Sequence, residues 1–72
     1  MLELQLRGDY IELDKLLKAT GLADSGGQAR VLIAAGEVRV DGQLELRKTA
    51  KIRAGQVVEF AGQKVTVTPA AA

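Results

Sequence analysis

Hydrophobic and polar residues alternate strictly at the start of the chain. Leucine occupies positions 2, 4 and 6, whereas polar residues occupy positions 3, 5 and 7. A period of two is typical of a strand that buries one of its faces. The pattern therefore predicts a first strand, which is interrupted at Gly8 and Asp9.

The spacing changes to that of a helix from position 13 onwards. Leu13, Leu16 and Leu17 recur at i, i+3 and i+4 and therefore share one helix face. At about 100° per residue, Lys15 and Lys18 fall together on the opposite, exposed side. The glycine at position 21 is a natural helix end, because glycine adopts the left-handed conformation readily.

A second helix is predicted to begin at Ser25. Ser25 and Gln28 have the spacing of a capping box, in which the serine side chain accepts a hydrogen bond from a first-turn N–H. The apolar residues at positions 29, 32 and 33 form the inward face, and Arg30 lies at its flank. Gly36 is predicted to end this helix.

Short strands follow the two helices. Valines at positions 38 and 40 alternate with Arg39, which is predicted to point outward. Asp41 and Gly42 are the strongest hairpin signal in the chain. Further alternation at positions 57–60 and 65–67 flanks a predicted turn at 61–63.

These elements predict one α+β domain. Two short N-terminal helices would pack on a small twisted sheet of four to five mostly antiparallel strands. The domain would span residues 1–68, and residues 69–72 are predicted to form a disordered tail.

The amino-acid composition excludes several kinds of functional site. The 72 residues include no Cys and no His, which excludes disulfides, thiolate chemistry and imidazole metal sites. The carboxylates do not have calcium-loop spacing, and Ser25 is better explained as a cap than as a nucleophile. We therefore expect no metal, no cofactor and no enzymatic activity. Since neither a membrane-length apolar run nor a secretory leader is visible, we expect a cytoplasmic protein that does not enter a membrane. We also expect a monomer.

Charge is unevenly distributed, although the net charge is only +1. Arg47, Lys48, Lys51 and Arg53 place four cations within seven residues, with no acid among them. Phosphates of nucleic acids bind such clusters, and four contacts would give log affinity a slope of roughly −3 against log salt concentration. The alternative is that the cluster only solvates the surface.

Two glycines at the start of the second helix are another candidate. Inside a helix, Gly costs about 1 kcal/mol relative to Ala, and here Gly26 and Gly27 are adjacent. Bare N–H groups at a helix start let a phosphate oxygen approach closely. Alternatively, the glycines merely ease the turn at the cap. For Lys15 and Lys18 the two alternatives are likewise contact with a nucleic acid and simple exposure to solvent.

The aromatic residues limit how a nucleic acid could be recognised. Tyr10 and Phe60 are the only two, whereas proteins that bind single strands stack bases on several rings. If the chain binds a nucleic acid, it is therefore predicted to recognise the shape and backbone of a folded one. Phe60 is predicted to be a core residue. Tyr10 is predicted to be a core or helix-entry contact rather than a ring on which a base stacks.

The order of these elements resembles a known RNA-binding family. A helix, Gly-Leu, a helix with Ser-x-x-x-Ala-Arg, Gly-x-Val-x-Val-Asp-Gly and Lys-x-x-x-Gly-x-x-Val together resemble the domain named after ribosomal small-subunit protein four. The basic segment around Arg47 and Lys48 resembles its stand-alone bacterial branch, the YbcJ-like RNA-binding proteins. The matching residues are Leu13, Asp14, Leu17, Gly21, Leu22, Ser25, Ala29, Arg30, Ile33, Gly36, Val38, Val40, Asp41, Gly42, Gly55 and Val58.

The resemblance implies an αL motif, formed by two helices and a β loop, that sets a basic face on structured RNA, often ribosomal. Many members carry Arg where this chain has Glu12 and Gly26, so binding is expected to be weaker or shifted toward residues 47–53. The residues predicted to contact RNA are Lys15, Lys18, Ser25, Gly26, Gly27, Arg30, Arg39, Arg47, Lys48, Lys51 and Arg53.

Two functions therefore remain open at the level of sequence. The first is a non-enzymatic module that binds ribosomal or other structured RNA through phosphate and shape contacts. The second is a small protein-interaction domain, because Val31, Ala34 and Ala35 leave an apolar patch on the second helix.

Overall fold

A computed structural model describes residues 2–71 of the chain. In chain order these residues form β1 (Leu2–Gln5), β2 (Ile11–Glu12), α1 (Leu13–Ala19), α2 (Gly26–Ala34), β3 (Val38–Val40), β4 (Gln43–Leu44), β5 (Lys51–Ile52), β6 (Val57–Phe60) and β7 (Gln63–Thr68).

The strands form two sheets. The larger has five strands in the order β1-β7-β6-β3-β4, and the smaller pairs β2 with β5. The pairing of β1 with β7 is parallel, and the other pairs are antiparallel. The predicted α+β architecture, with two helices on a mostly antiparallel sheet, is confirmed. The separate β2–β5 sheet was not predicted, because two-residue strands leave no periodic signal.

One core lies between the helices and the five-stranded sheet. Leu13, Leu16 and Leu17 of α1 are fully buried, as their spacing predicted. They pack in one cluster with Ala29 and Ile33 of α2 and with the inward valines of the sheet. Burying one such leucine or isoleucine side chain contributes about 1.5–3 kcal/mol, so this cluster holds the helices on the sheet. Phe60, predicted to be core, is half-buried against the cluster.

Two hairpins have the backbone that right-twisted strands require. The β3–β4 turn at Asp41 and Gly42 has φ angles of 52° and 81°, and the β6–β7 turn at Ala61 and Gly62 has 52° and 79°. Positive φ at both central residues is the signature of a type I′ turn. The Asp41–Gly42 hairpin is therefore confirmed. The second turn is one residue shorter than predicted, because Gln63 already belongs to β7.

The second helix starts as the capping signal predicted. Ser25 Oγ accepts a hydrogen bond from the N–H of Gln28 at 3.1 Å. Gln28 Oε1 in turn accepts from the N–H of Asp24 at 2.6 Å, so the reciprocal bond reaches one residue further back than in the usual capping box. Glycines at positions 21 and 36 follow the two helices with positive φ, as expected.

Residues 69–71 are exposed and belong to no helix or strand, whereas Met1 and Ala72 lie outside the described residues. The predicted domain limits and the disordered tail at 69–72 stay predictions. Among residues 2–71, no helix is long and apolar enough to cross a membrane.

Candidate nucleic-acid interface

The basic segment at residues 47–53 is attached to the start of α1. The N–H of Leu13 donates to the carbonyl of Ala50 at 2.9 Å, and the N–H of Asp14 donates to the carbonyl of Lys48 at 3.1 Å. The β2–β5 pairing then places Glu12 opposite Lys51. Two first-turn N–H groups that have no acceptor within the helix are hydrogen-bonded in this way. The same two bonds hold the cationic segment at a defined position.

Asp14 connects this segment to α2. Its side chain is almost fully buried, with 4% of the residue exposed. Oδ2 accepts from Arg30 Nε at 3.2 Å, and Oδ1 accepts from the N–H of Lys15 at 2.8 Å. Since the N–H of Asp14 also contacts the Lys48 carbonyl, one residue joins α1, α2 and the basic segment.

Arg30 lies beside the start of α2. A methyl group added at Gly26 would be 3.5 Å from an Arg30 guanidinium nitrogen. Gln28 donates its N–H to the Ser25 cap, whereas within residues 2–71 no acceptor is recorded for the N–H groups of Gly26 and Gly27. Free amides at the positive end of a helix, next to a guanidinium, are suited to an anionic oxygen.

Tyr10, predicted to be a core residue or a helix-entry contact, is exposed, so the first of these two alternatives is wrong. Its exposed fraction is 43%. Lys51 Nζ lies 5.0 Å from the centre of its ring, and Arg53 Cζ lies 5.7 Å from it. Both distances are within the range of cation–π interactions. We call these three residues the Tyr10 cluster.

Arg47 is partly neutralised by a neighbouring acid. Its Nε and Nη2 donate to the two carboxylate oxygens of Glu45 at 3.1 and 3.0 Å. These bonds hold the pKa of Glu45 below its ordinary value and raise that of Arg47. Arg47 therefore has less free charge to offer a phosphate than the sequence suggested.

The two lysines of α1 differ in their surroundings. Both are exposed on the outer side of the helix, as their spacing predicted. Lys15 Nζ lies 2.8 Å from Glu12 Oε1, and that contact raises the pKa of Lys15. In the described part of the chain no carboxylate lies within ion-pair distance of Lys18.

Arg39 lies apart from the other candidates. It belongs to β3 of the five-stranded sheet, where its register partner on β6 is Glu59. Both residues line a small depression that also includes Glu37. Arg39 Nη1 donates to the carbonyl of Gly42 at 3.4 Å, close to its own turn. The structure therefore does not bring Arg39 together with residues 47–53.

The structure thus brings most of the predicted residues together, but they differ in how much charge they have available for phosphate. Lys48, Lys51 and Arg53 have no carboxylate partner within residues 2–71, whereas Arg30, Arg47 and Lys15 each have one. The sequence did not predict the contact of Asp14 with Arg30. It also missed the Tyr10 cluster, whose only signal was the alternation of two cations around Ile52. No group of His, Cys, Asp or Glu able to hold a metal ion occurs within residues 2–71.

Comparison with known proteins identifies close relatives of this arrangement. The S4 domain family matches residues 4–68. YbcJ of Escherichia coli K12, which carries a provisional description as an RNA-binding protein, is 53% identical over 58 residues, covering 81% of this chain and 83% of that protein. The uncharacterised YbcJ of Shigella flexneri matches equally well. The solution structure of E. coli YbcJ, described as having an αL motif involved in RNA binding, has a TM-score of 0.73 at 48% identity, covering 94% of this chain and 87% of that one.

Proposed function

The chain belongs to the S4 domain family, and we propose that it is a non-enzymatic module that binds structured RNA through a basic face. This face comprises the start of α2 with Arg30, the outer side of α1 and residues 47–53. Its relatives include a protein described as RNA-binding and a structure with an αL motif involved in RNA binding.

The observation that carries this proposal is the junction at Asp14. Through one buried carboxylate and one N–H, Asp14 contacts both Arg30 and the Lys48 carbonyl at the first turn of α1. Cations and free amides at fixed mutual positions can follow a phosphate backbone, whereas scattered surface cations cannot. Arg39 lies outside this face in our proposal, because it shares a different surface with Glu59.

A matched pair of lysine substitutions tests the proposal. Lys48 lies in the basic face, whereas Lys64 lies on β7 of the five-stranded sheet, where its register partner is Glu59. The two lysines are both exposed. Each phosphate contact releases about 0.7 counterion, so lowering the salt concentration from 1 M to 0.1 M raises the affinity about five-fold per contact. Lys48→Ala should therefore weaken binding of a structured RNA hairpin about five-fold at 0.1 M salt.

The control and the readout are both simple. Lys64→Ala removes the same charge and should leave affinity within two-fold of wild type, measured by fluorescence anisotropy of a labelled hairpin. Equal losses for the two variants would show that only net charge matters, and no loss for Lys48→Ala would contradict the basic face.

We extend the proposal to the kind of RNA that is bound and to the cellular compartment. The family resemblance favours ribosomal RNA over other structured RNA, and we propose that a monomer acts in the cytoplasm. Crosslinking in cells followed by RNA sequencing should recover ribosomal fragments, and recovery of messenger RNA alone would overturn this choice.

One observation favours a second function, the binding of another protein. Val31 is 67% exposed, and Leu44 and Leu46 are 49% and 54% exposed. A methyl group at Gly36 would contact both leucines, so the patch predicted at Val31, Ala34 and Ala35 has apolar neighbours at the end of the helix. An apolar contact predicts association that salt barely affects, which sedimentation at 0.05 and 0.5 M salt would reveal.

A further inference from the structure

The Tyr10 cluster is formed by the register of the small sheet. Ile11 pairs with Ile52, so the next antiparallel position places Tyr10 opposite Arg53. Ile52 is buried, with 1% exposed, and the residues on either side of it therefore point outward. One outward ring and two outward cations thus share the exposed face of β2 and β5.

The same ring lines a depression in the surface. The depression has a volume of about 420 Å³ and lies between α1, β1 and the residues that lead into β2. Leu4, Ile11 and Ala19 supply apolar lining, and Arg7 and Lys15 supply cations. Its volume falls in the range of roughly 300–1,000 Å³ of pockets that hold small ligands.

We propose that this site binds one unpaired nucleotide of the RNA. The base enters the depression against the Tyr10 ring, and the adjoining phosphates contact Lys51 and Arg53. This inference rests on the proposed RNA-binding function and deepens it, since it names a bulged or looped-out nucleotide as the preferred element of the target.

The chemistry of the site favours a nucleotide. Bases have flat aromatic faces that stack on exposed rings, and this stacking tolerates any base. In the described residues no carboxylate lies within ion-pair distance of the two cations on the ring; Glu12, the register partner of Lys51, pairs with Lys15 instead. The charge of both cations therefore remains available for phosphate. Because Tyr10 is the one exposed ring in residues 2–71, the site accommodates one nucleotide and not an extended single strand.

The test compares two RNA hairpins that differ by one nucleotide. One hairpin is fully paired in its stem, and the other carries a single bulged uridine. Wild-type protein should bind the bulged hairpin about ten-fold more tightly, which is within the range measured for stacking of one base on an aromatic ring. Tyr10→Leu should abolish this preference while keeping affinity for the paired hairpin, and Tyr10→Phe should retain the preference.

A direct signal from the wild-type ring makes the test independent of any variant. Tyr10 is the only tyrosine, and the chain has no tryptophan, so NMR resonances of the tyrosine ring report on this site alone. The bulged hairpin should shift the ring protons upfield, and the paired hairpin should leave them nearly unchanged. Lys64→Ala, outside the site, should show the wild-type preference and shift.

The outcomes separate this inference from the proposed function. Equal affinity for both hairpins with an unmoved Tyr10 ring would overturn the nucleotide site and leave RNA binding intact. No binding of either hairpin would overturn the proposed function itself. A ring shift caused by an acidic peptide but by neither RNA would assign the depression to a protein partner and also overturn the inference.

Discussion

Asp14 combines a structural and an electrostatic task at one position. Its buried carboxylate accepts hydrogen bonds from Arg30 Nε and from the N–H of Lys15, and its own N–H donates to the backbone carbonyl of Lys48. A hydrogen bond to a charged group contributes about 1.5–3 kcal/mol, but Arg30 is half-exposed, which reduces the value of this one. The residue therefore stabilises the junction moderately and orients Arg30.

We expect Asp14→Ala to lower the free energy of unfolding by about 1–2 kcal/mol, because the first turn of α1 and Arg30 both lose an acceptor. Urea denaturation measures this change. Asp9→Ala, in an exposed turn, should alter stability by less than about 0.5 kcal/mol. The role of Asp14 would be refuted by equal stability of the two variants.

Glu45 and Arg47 make stability depend on acid pH. The Arg47 guanidinium holds the pKa of Glu45 below its ordinary value of 4.5. Because the pKa of Glu45 is lower in the folded protein than in the unfolded chain, the pair contributes its full stability above the ordinary pKa of 4.5. This contribution is lost as the pH falls from 4.5 through the lowered pKa of the folded protein. Glu45→Gln lacks the pair at every pH. The difference in urea midpoint between the wild type and this variant should therefore close in the acid range below pH 4.5, and a constant difference down to pH 2.5 would contradict the linkage.

At the scale of elements, the start of α2 is the most informative case. Ala at position 27 would place its methyl 3.8 Å from Ser25 Oγ, an ordinary contact. Gly27→Ala should therefore raise the free energy of unfolding by up to about 1 kcal/mol, because alanine favours the helix. If phosphate approaches the bare amides, the same methyl group should weaken RNA binding several-fold.

The control for this prediction is Gly62→Ala in the β6–β7 turn. Its φ of +79° strains any side chain, so stability should fall by about 1–2 kcal/mol while RNA affinity stays constant. Calorimetry and anisotropy together measure both effects. Unchanged RNA affinity in Gly27→Ala would show that the glycines only ease the turn.

At the scale of the whole molecule, the net charge of +1 conceals a local field. Lys48, Lys51 and Arg53 have no carboxylate partner within residues 2–71, while Arg47 is held by Glu45. With roughly 0.7 counterions released per phosphate contact, three contacts give log affinity a slope of about −2 against log salt. The slope is shallower than the −3 that the sequence predicted from four cations.

Glu45→Gln should restore the fourth contact and steepen this slope to about −3. Titrations with one RNA hairpin between 0.05 and 0.5 M KCl measure both values. A slope near zero in the wild type would indicate binding through the apolar patch at Val31 instead of the basic face.

The sequence alone was sufficient for the features that arise from short-range physics. The leucine spacing of α1, the Ser25 cap and the Asp41–Gly42 hairpin all depend on residues within a few positions of one another. These signals predicted the α+β architecture and placed most of the candidate residues on the correct elements. The resemblance to an RNA-binding family followed from the same ordered signals, and the match to the S4 domain confirms it.

Tertiary structure decided which of those residues act together. The Asp14–Arg30 bond spans 16 positions, and the Tyr10 cluster joins residues about forty positions apart through a two-residue pairing. No local pattern encodes such contacts, because they depend on how α1 packs on α2 and on the register of β2 with β5. Packing and register therefore determined that Arg39 lies apart and that an exposed ring lies beside two cations without an ion-pair partner in the described residues, whereas the pair of Glu45 and Arg47 is local, two positions apart.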